Sequence, residues 1–310
     1  ITQKNVPLAP DRAPYGSEMI AATATKNRDG YWVLTYDSNV GDILAYRVDG
    51  AGVNPVPVIS SAIGMTAVGQ MQISPDGSTV AMNSVFGTVF DFDNATGRLS
   101  NQRDIGSFDI SSRFYEKVYK GFGPSFCYST CFSPNSKLLY LAQQTSKTDQ
   151  GRETYINRIL QFDLMQPTID DFTNSVEVVY ETDNPSKQDG QFSSLMNIGI
   201  DQRLWINMDS VLDVIEYPDI RGDGCTYRAD VIPVPLSSAV GRGISFPTII
   251  NSDLLPAPGQ KLCRPPWPEL VGDTICEGEC ITLRVRSRNH ATSWSWSAMG
   301  SRQETVVGSD

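Results

Sequence analysis

Gln72-Ile-Ser-Pro-Asp-Gly-Ser-Thr-Val-Ala-Met82 and Thr130-Cys-Phe-Ser-Pro-Asn-Ser-Lys-Leu-Leu-Tyr140 are the stretches that decide the fold. Each is an apolar strand, a Ser-Pro-Asp or Ser-Pro-Asn turn whose residues supply turn geometry locally, and a second apolar strand. Outward from the first come Gly87-Thr-Val-Phe-Asp-Phe-Asp93 and the turn Asn94-Ala-Thr-Gly97. Outward from the second come Arg158-Ile-Leu-Gln-Phe-Asp163 and Ser175-Val-Glu-Val-Val-Tyr180. The same order recurs upstream in Gly30-Tyr-Trp-Val-Leu-Thr-Tyr36, Ile43-Leu-Ala-Tyr-Arg-Val-Asp49 and Pro55-Val-Pro-Val-Ile59. It recurs downstream in Met196-Asn-Ile-Gly-Ile-Asp-Gln-Arg-Leu-Trp-Ile206, Leu212-Asp-Val-Ile-Glu-Tyr217 and Ala229-Asp-Val-Ile-Pro233. A unit of three or four short strands cannot bury both of its faces alone, so repeated units must stack, and radial stacking gives a β-propeller. A β-sandwich with coincidental turns is the alternative. Recurrence of the turn at matching places favours an all-β propeller of at least four blades over residues 1–253.

The chain has 310 residues, of which 40% are hydrophobic and 19% charged, within the range of a packed globular protein rather than a disordered one. A net charge of −10, with no basic stripe, argues against nucleic acid and anionic membrane as partners. No apolar run approaches the roughly 18 residues that a membrane span needs, so the protein is not expected to be membrane-embedded. Ile1 is not a methionine and no signal-peptide core follows it, which suggests a mature product or a fragment.

From Leu254 to Pro268 prolines crowd the chain more densely than a sheet can host, so 254–269 is expected to be a linker. Beyond it, Cys280-Ile-Thr-Leu-Arg-Val-Arg286 and Thr292-Ser-Trp-Ser-Trp-Ser297 place Trp294 and Trp296 on one face of a strand and serines on the other, as in a sandwich. The six cysteines include the tight unit Cys276-Glu-Gly-Glu-Cys280. His290 is the single histidine and no second cysteine pair completes a zinc set, so a disulfide between Cys276 and Cys280 is the expectation there, implying an oxidising compartment. Cys225 and Cys263 flank the last unit and could pair. Cys127 and Cys131 lie too far apart on a regular strand unless a bulge intervenes.

Ile73-Ser-Pro-Asp-Gly-Ser78, Phe90-Asp-Phe-Asp-Asn-Ala-Thr-Gly-Arg-Leu-Ser-Asn101, Phe132 to Tyr140, Gln161-Phe-Asp-Leu164, and Asp273-Thr-Ile-Cys-Glu-Gly-Glu-Cys-Ile-Thr282 with Trp294-Ser-Trp296 are phrases with a shared resemblance. Their ordered combination resembles the type IX-secreted, gliding-motility-associated surface proteins of Bacteroidota, in which a WD-like β-propeller precedes PKD domains. The resemblance implies that 270–310 opens an immunoglobulin-like PKD sandwich and that roughly three further blades precede Ile1, as part of a ring of about seven. Ser-Ala-Met-Gly-Ser301 replaces the usual Gly-Asp-Gly-like turn of such domains. The resemblance also implies an O-glycosylation pattern, matched at Ser210 and Thr274. It implies export across the outer membrane to the cell surface, with cell-surface or outer-membrane proteins and glycans as partners.

Individual chemical motifs are weak. His290 sits in a polar stretch without triad partners. Asp91 with Asp93 and Asp170 with Asp171 fit turn and cap duty better than acid–base or calcium chemistry, and Asp219-Ile-Arg-Gly-Asp-Gly224 lacks the spacing of a calcium loop. No glycine-rich nucleotide motif opens a helix. Phe114, Tyr115, Tyr119, Phe122 and Phe126 around Lys117 and Lys120 could line a sugar- or peptide-binding face, although packing of a long inter-blade loop fits them better. The expectation is therefore a non-catalytic, secreted structural or adhesive module that needs no metal or cofactor. The alternatives are a component or passenger of an outer-membrane secretion or motility complex, and a propeller hydrolase or lyase with its site in the central channel.

Overall fold

The computed structural model describes residues 17–65, 68–83, 87–106, 109–123, 125–149, 152–182, 195–208, 211–233 and 250–253, together with Leu8, Phe246, 295–296 and 305–306. Among them, four antiparallel sheets follow one another along the chain as propeller blades. Blade 1 holds β1 (Ile20–Ala24), β2 (Tyr31–Asp37), β3 (Asp42–Asp49), β4 (Gly52–Val53) and β5 (Val58–Ser61), the last two sharing the outer edge of β3. Blade 2 is β6 (Met71–Ile73), β7 (Thr79–Met82), β8 (Gly87–Asp93) and β9 (Arg98–Ile105). Blade 3 is β10 (Phe126–Phe132), β11 (Leu138–Asp149), β12 (Arg152–Asp163) and β13 (Glu177–Thr182). Blade 4 is β14 (Met196–Ile198), β15 (Leu204–Asn207), β16 (Val211–Ile215) and β17 (Tyr227–Pro233).

Strand alternation explains the stacking. Along β11, Leu138, Tyr140 and Ala142 enter the apolar layer shared with blade 4, whereas Leu139 and Leu141 enter the layer shared with blade 2. In blade 2, Val80, Met82, Phe90 and Phe92 face blade 1, while Ala81 and Val89 face blade 3. An inner blade thus reads as apolar on both faces because both are covered. At about 25 cal/mol per Å² of apolar surface removed from water, these three layers dominate the stabilisation of the stack.

The turn between the first two strands of each blade has one geometry despite four different sequences. The carbonyls of Thr25, Ser74, Ser133 and Gly199 accept from the N–H three residues on, at Arg28, Gly77, Ser136 and Gln202, over 2.8–2.9 Å. The four donor residues all have left-handed φ, between 54° and 71°. In blade 2 the Asp76 carboxylate takes the Ser78 N–H at 3.0 Å, and in blade 3 Asn135 Oδ1 takes the Lys137 N–H at 3.0 Å, the local capping that makes Ser-Pro-Asp and Ser-Pro-Asn interchangeable. The turn between β8 and β9, Asn94 to Gly97, docks on blade 1, where Trp32 Nε1 donates to the Asn94 carbonyl at 2.9 Å. Gly97 has φ of 78°, and a Cβ there would meet the Trp32 ring at 2.7 Å, so glycine is required twice over.

Residues 258–310 form a separate compact unit. Its described residues are β18 (Ser295–Trp296) and β19 (Thr305–Val306), an antiparallel pair with Ser295 opposite Val306. Cys263, Cys276, Cys280, His290, Ser210 and Thr274 lie outside the described residues. Among the described residues no helix is long and apolar enough to cross a membrane.

Candidate functional site: a polar pocket on the propeller axis

The first strands of the four blades, β1, β6, β10 and β14, converge, and a pocket of about 300 Å³ opens where they meet. Polar side chains sit at one offset, two residues before each blade's first turn. These are Thr23, Gln72, Cys131 and Asn197, all at least nine-tenths buried. Gln72 Nε2 reaches from blade 2 to blade 4, donating to the Met196 carbonyl at 2.8 Å and to Asn197 Oδ1 at 2.9 Å. Gln70 Nε2 donates to the same carbonyl at 3.2 Å, and its Oε1 accepts from Ser129 Oγ at 2.5 Å.

Two further elements close the pocket. A turn at Asn251–Asp253 is pinned to blade 1, with the Ala24 N–H donating to Ser252 Oγ at 3.0 Å and Tyr31 Oη to Asp253 Oδ2 at 3.2 Å. It presents Asn251, only 4% exposed, whose Nδ2 donates to Gln72 Oε1 at 3.4 Å and to the Ile73 carbonyl at 3.3 Å. Two acceptors at Nδ2 fix the amide's orientation, and Asn251 Oδ1 is left buried without a hydrogen-bond partner among the described residues. On the other side, β10 pairs Cys127 with Gln143 and then Ser129 with Ala142, so Tyr128 is bulged out of the ladder. A bulge re-aims its side chain, and Tyr128 Oη donates to Glu18 Oε2 at 2.5 Å at the pocket mouth. Burial and then the neighbouring Glu18 carboxylate push the Tyr128 phenol up to about 12, which keeps it a donor.

The bulge also settles two of the cysteines. Residues four apart on a regular strand share a face, but the extra residue reverses the parity, so Cys127 enters the layer between blades 2 and 3 and Cys131 the layer between blades 3 and 4. Cys127, Cys131 and Cys225 are buried free thiols, the first two pointing into different apolar layers, while Cys263, the partner considered for Cys225, lies outside the described residues. Burial raises the Cys127 and Cys131 thiols far above the usual range, Cys225 to about 11 and the Tyr119 phenol to about 12. Free thiols titrate at about 8.5 and phenols at about 10, so above pH 9 the unfolded chain loses protons that the folded chain keeps, and stability falls. The unfolding free energy from urea titration is expected to hold from pH 7 to 8.5 and then fall, by about 1.4 kcal/mol per pH unit for each of the two core thiols, and the urea midpoint with it. A midpoint unchanged between pH 8 and 10.5 would contradict this.

The other candidates resolve into structure. Asp93 caps its turn, accepting from Thr96 Oγ1 at 2.7 Å and the Ala95 N–H at 3.0 Å, while Asp91 pairs with Arg103. Asp171 lies in the first turn of α1 (Ile169–Asn174), whose Thr168 cap takes the Asp171 N–H, and Asp219 accepts from the Asn135 N–H at 2.9 Å. Phe114 is fully buried against Phe162, and Phe122 lies under the Arg158 guanidinium at 4.5 Å, so part of the aromatic cluster packs the inter-blade loop. No group of three or more potential metal ligands gathers among the described residues. A second hollow of about 420 Å³ at the rim between β9 and α1 has its charges tied inward, Arg103 to Asp91 and Asp104 to Thr88.

The axial pocket residues escaped the sequence reading. The signal that could have found Gln72 and Asn197 is a polar residue recurring two positions before each blade's first turn.

The fold is thus an all-β chain carrying a four-blade propeller arrangement with a polar pocket on its axis. No protein-family model matches the chain, and no curated protein matches it. Solved structures that are similar to it include a candidate 6-phosphogluconolactonase from Bacteroides uniformis, 16% identical, covering 63% of this chain and 49% of that one, with a TM-score of 0.34. Others are a functionally unknown protein from Desulfotomaculum acetoxidans (10% identical, 70% of each chain, TM-score 0.35) and a protein from Lactobacillus plantarum (14% identical, 63% and 52%, TM-score 0.35). The chain spans about half the length of the first and third. The expectation of a non-catalytic structural or adhesive module is corrected here. A candidate lactonase stands among the similar structures, and the axis holds a carboxylate and a phenol, groups that acid–base chemistry uses without histidine. Likeness at this level carries no activity to this chain.

Proposed function

We propose that the protein binds a small hydrogen-bond-donating solute, uncharged or cationic, in the pocket on the propeller axis. The observation that carries this reading is the polar lining that the blades and the Asn251 turn bring together around one pocket: Glu18, Gln70, Gln72, Tyr128, Asn197 and Asn251. Among the described lining residues there is no lysine, arginine or histidine to neutralise an anion. Rigid inner strands from all four blades hold the polar groups, so the site is preorganised.

The test is thermal unfolding of wild type and Asn251→Ala against a panel of polyols, amino alcohols and primary amides. At 100 times its Kd a ligand adds about 2.7 kcal/mol of stability, which shifts the melting temperature by several degrees. At least one panel member is expected to shift the wild type and to lose most of that effect in Asn251→Ala. Equal shifts in both proteins, or none in the wild type, would remove the proposal.

The finer assignment of 270–310 as the opening of a PKD-like sandwich is likewise proposed. What supports it is the alternation in Trp294-Ser-Trp296 and the break in composition over 254–269.

A further inference from the structure

The polar groups of the axial pocket are unevenly spent. Gln72 Nε2 spends both of its protons, on the Met196 carbonyl and Asn197 Oδ1, and Gln70 Nε2 spends one on the same carbonyl. Asn251 Nδ2 is committed to Gln72 Oε1 and the Ile73 carbonyl. The mouth adds a carboxylate: Glu18 uses Oε2 for the Tyr128 hydroxyl at 2.5 Å and the Gly69 N–H at 3.3 Å, leaving Oε1 without a partner among the described residues. Two rings, Tyr128 and Phe246, line the same space.

We infer that the pocket selects a small protonated primary amine over an alcohol or a carboxylate of the same shape, with Glu18 as its counter-ion; this rests on the ligand-binding function proposed above. An alkylammonium carries three donors and a positive charge, which matches a site whose described lining holds the Glu18 carboxylate and no basic side chain. A hydroxyl brings no charge to match Glu18, and a carboxylate would be repelled by it. Aromatic walls favour a cation further, through attraction to the negative ring face. Glu18 is oriented before any ligand arrives, because a bulged tyrosine and a backbone N–H hold one of its oxygens. The volume of about 300 Å³ equals that of about ten waters, which limits the ligand to roughly ten non-hydrogen atoms.

The experiment is isothermal titration of the full chain with three probes of one length, 4-aminobutan-1-ol, butane-1,4-diol and 4-hydroxybutanoate, on wild type, Glu18→Gln and Asn251→Ala. Glu18→Gln is isosteric and keeps an acceptor for Tyr128, so it is expected to fold. The amine is expected to bind at least tenfold tighter than the diol, with the carboxylate weakest. Glu18→Gln is expected to abolish that preference by weakening the amine at least tenfold while leaving the diol within twofold. Equal binding of amine and diol, or an amine affinity indifferent to Glu18→Gln, overturns the inference; the pocket then stands if Asn251→Ala weakens both probes alike. Failure of every probe to bind the wild type overturns the inference and the binding function together.

Discussion

Phe162→Ala is expected to lower the unfolding free energy by about 3–5 kcal/mol, the largest single-residue effect in the fold. Phe162 lies on β12 opposite Leu139, fully buried in the layer between blades 2 and 3. Its ring centroid is 6.3 Å from that of Phe114 and 5.7 Å from that of Phe172. Those two rings come from the π-helical turn Tyr115–Tyr119 and its approach, and from α1, so one side chain holds both connections against the sheet. Truncation leaves a cavity that three separate elements would have to collapse into. Phe162→Leu, which keeps most of the volume, is expected to cost less than about 1.5 kcal/mol. Urea unfolding followed by intrinsic fluorescence measures both. A loss below about 1 kcal/mol for Phe162→Ala would mean that this inter-blade layer is not closely packed.

The blades were legible in the sequence because their information is local. Ser74 to Ser78 and Ser133 to Lys137 close their own turns with their own side chains, and Leu138-Leu-Tyr-Leu-Ala142 declares two covered faces by being apolar throughout. Blade 1 and blade 4 use Thr25-Lys-Asn-Arg28 and Gly199-Ile-Asp-Gln202 for the same turn, and there the pattern had to be inferred from the strands around it. The axial site was not legible. Gln72, Asn197 and Asn251 are brought together from sequence separations of 125 and 179 residues, and each alone reads as an ordinary polar strand or turn residue. Cys127 and Cys131 failed for a subtler reason. A bulge at Tyr128 adds one residue to the strand and exchanges the two faces, and nothing in Phe-Cys-Tyr-Ser-Thr-Cys-Phe marks where that residue falls.

The amide of Gln72 ties the blades to the site, and replacing it should reach both. Gln72→Leu preserves side-chain size in a position that is 5% exposed, so a purely apolar axis would tolerate it or gain from it. The hydrogen-bond network requires the opposite. The substitution removes the donors to the Met196 carbonyl at 2.8 Å and Asn197 Oδ1 at 2.9 Å and the acceptor for Asn251 Nδ2 at 3.4 Å. Gln70 still donates to Met196 and Ile73 still accepts from Asn251, so the loss is partial at two of the three places. With about 1–3 kcal/mol for each buried group left short, the expected loss of stability is about 2–4 kcal/mol. Gln72→Glu should be worse, because it keeps the shape but sets a carboxylate against two acceptors. Freed from Gln72, Asn251 Nδ2 keeps a single partner and the orientation of Oδ1 loosens, so ligand-induced stabilisation should shrink along with the stability itself. Urea midpoints of Gln72→Leu and Gln72→Glu, taken with and without a pocket ligand, read the two effects separately. A Gln72→Leu protein as stable as wild type would show that the amide bridge from blade 2 to blade 4 contributes nothing net, and the preorganisation of the axial site would go with it.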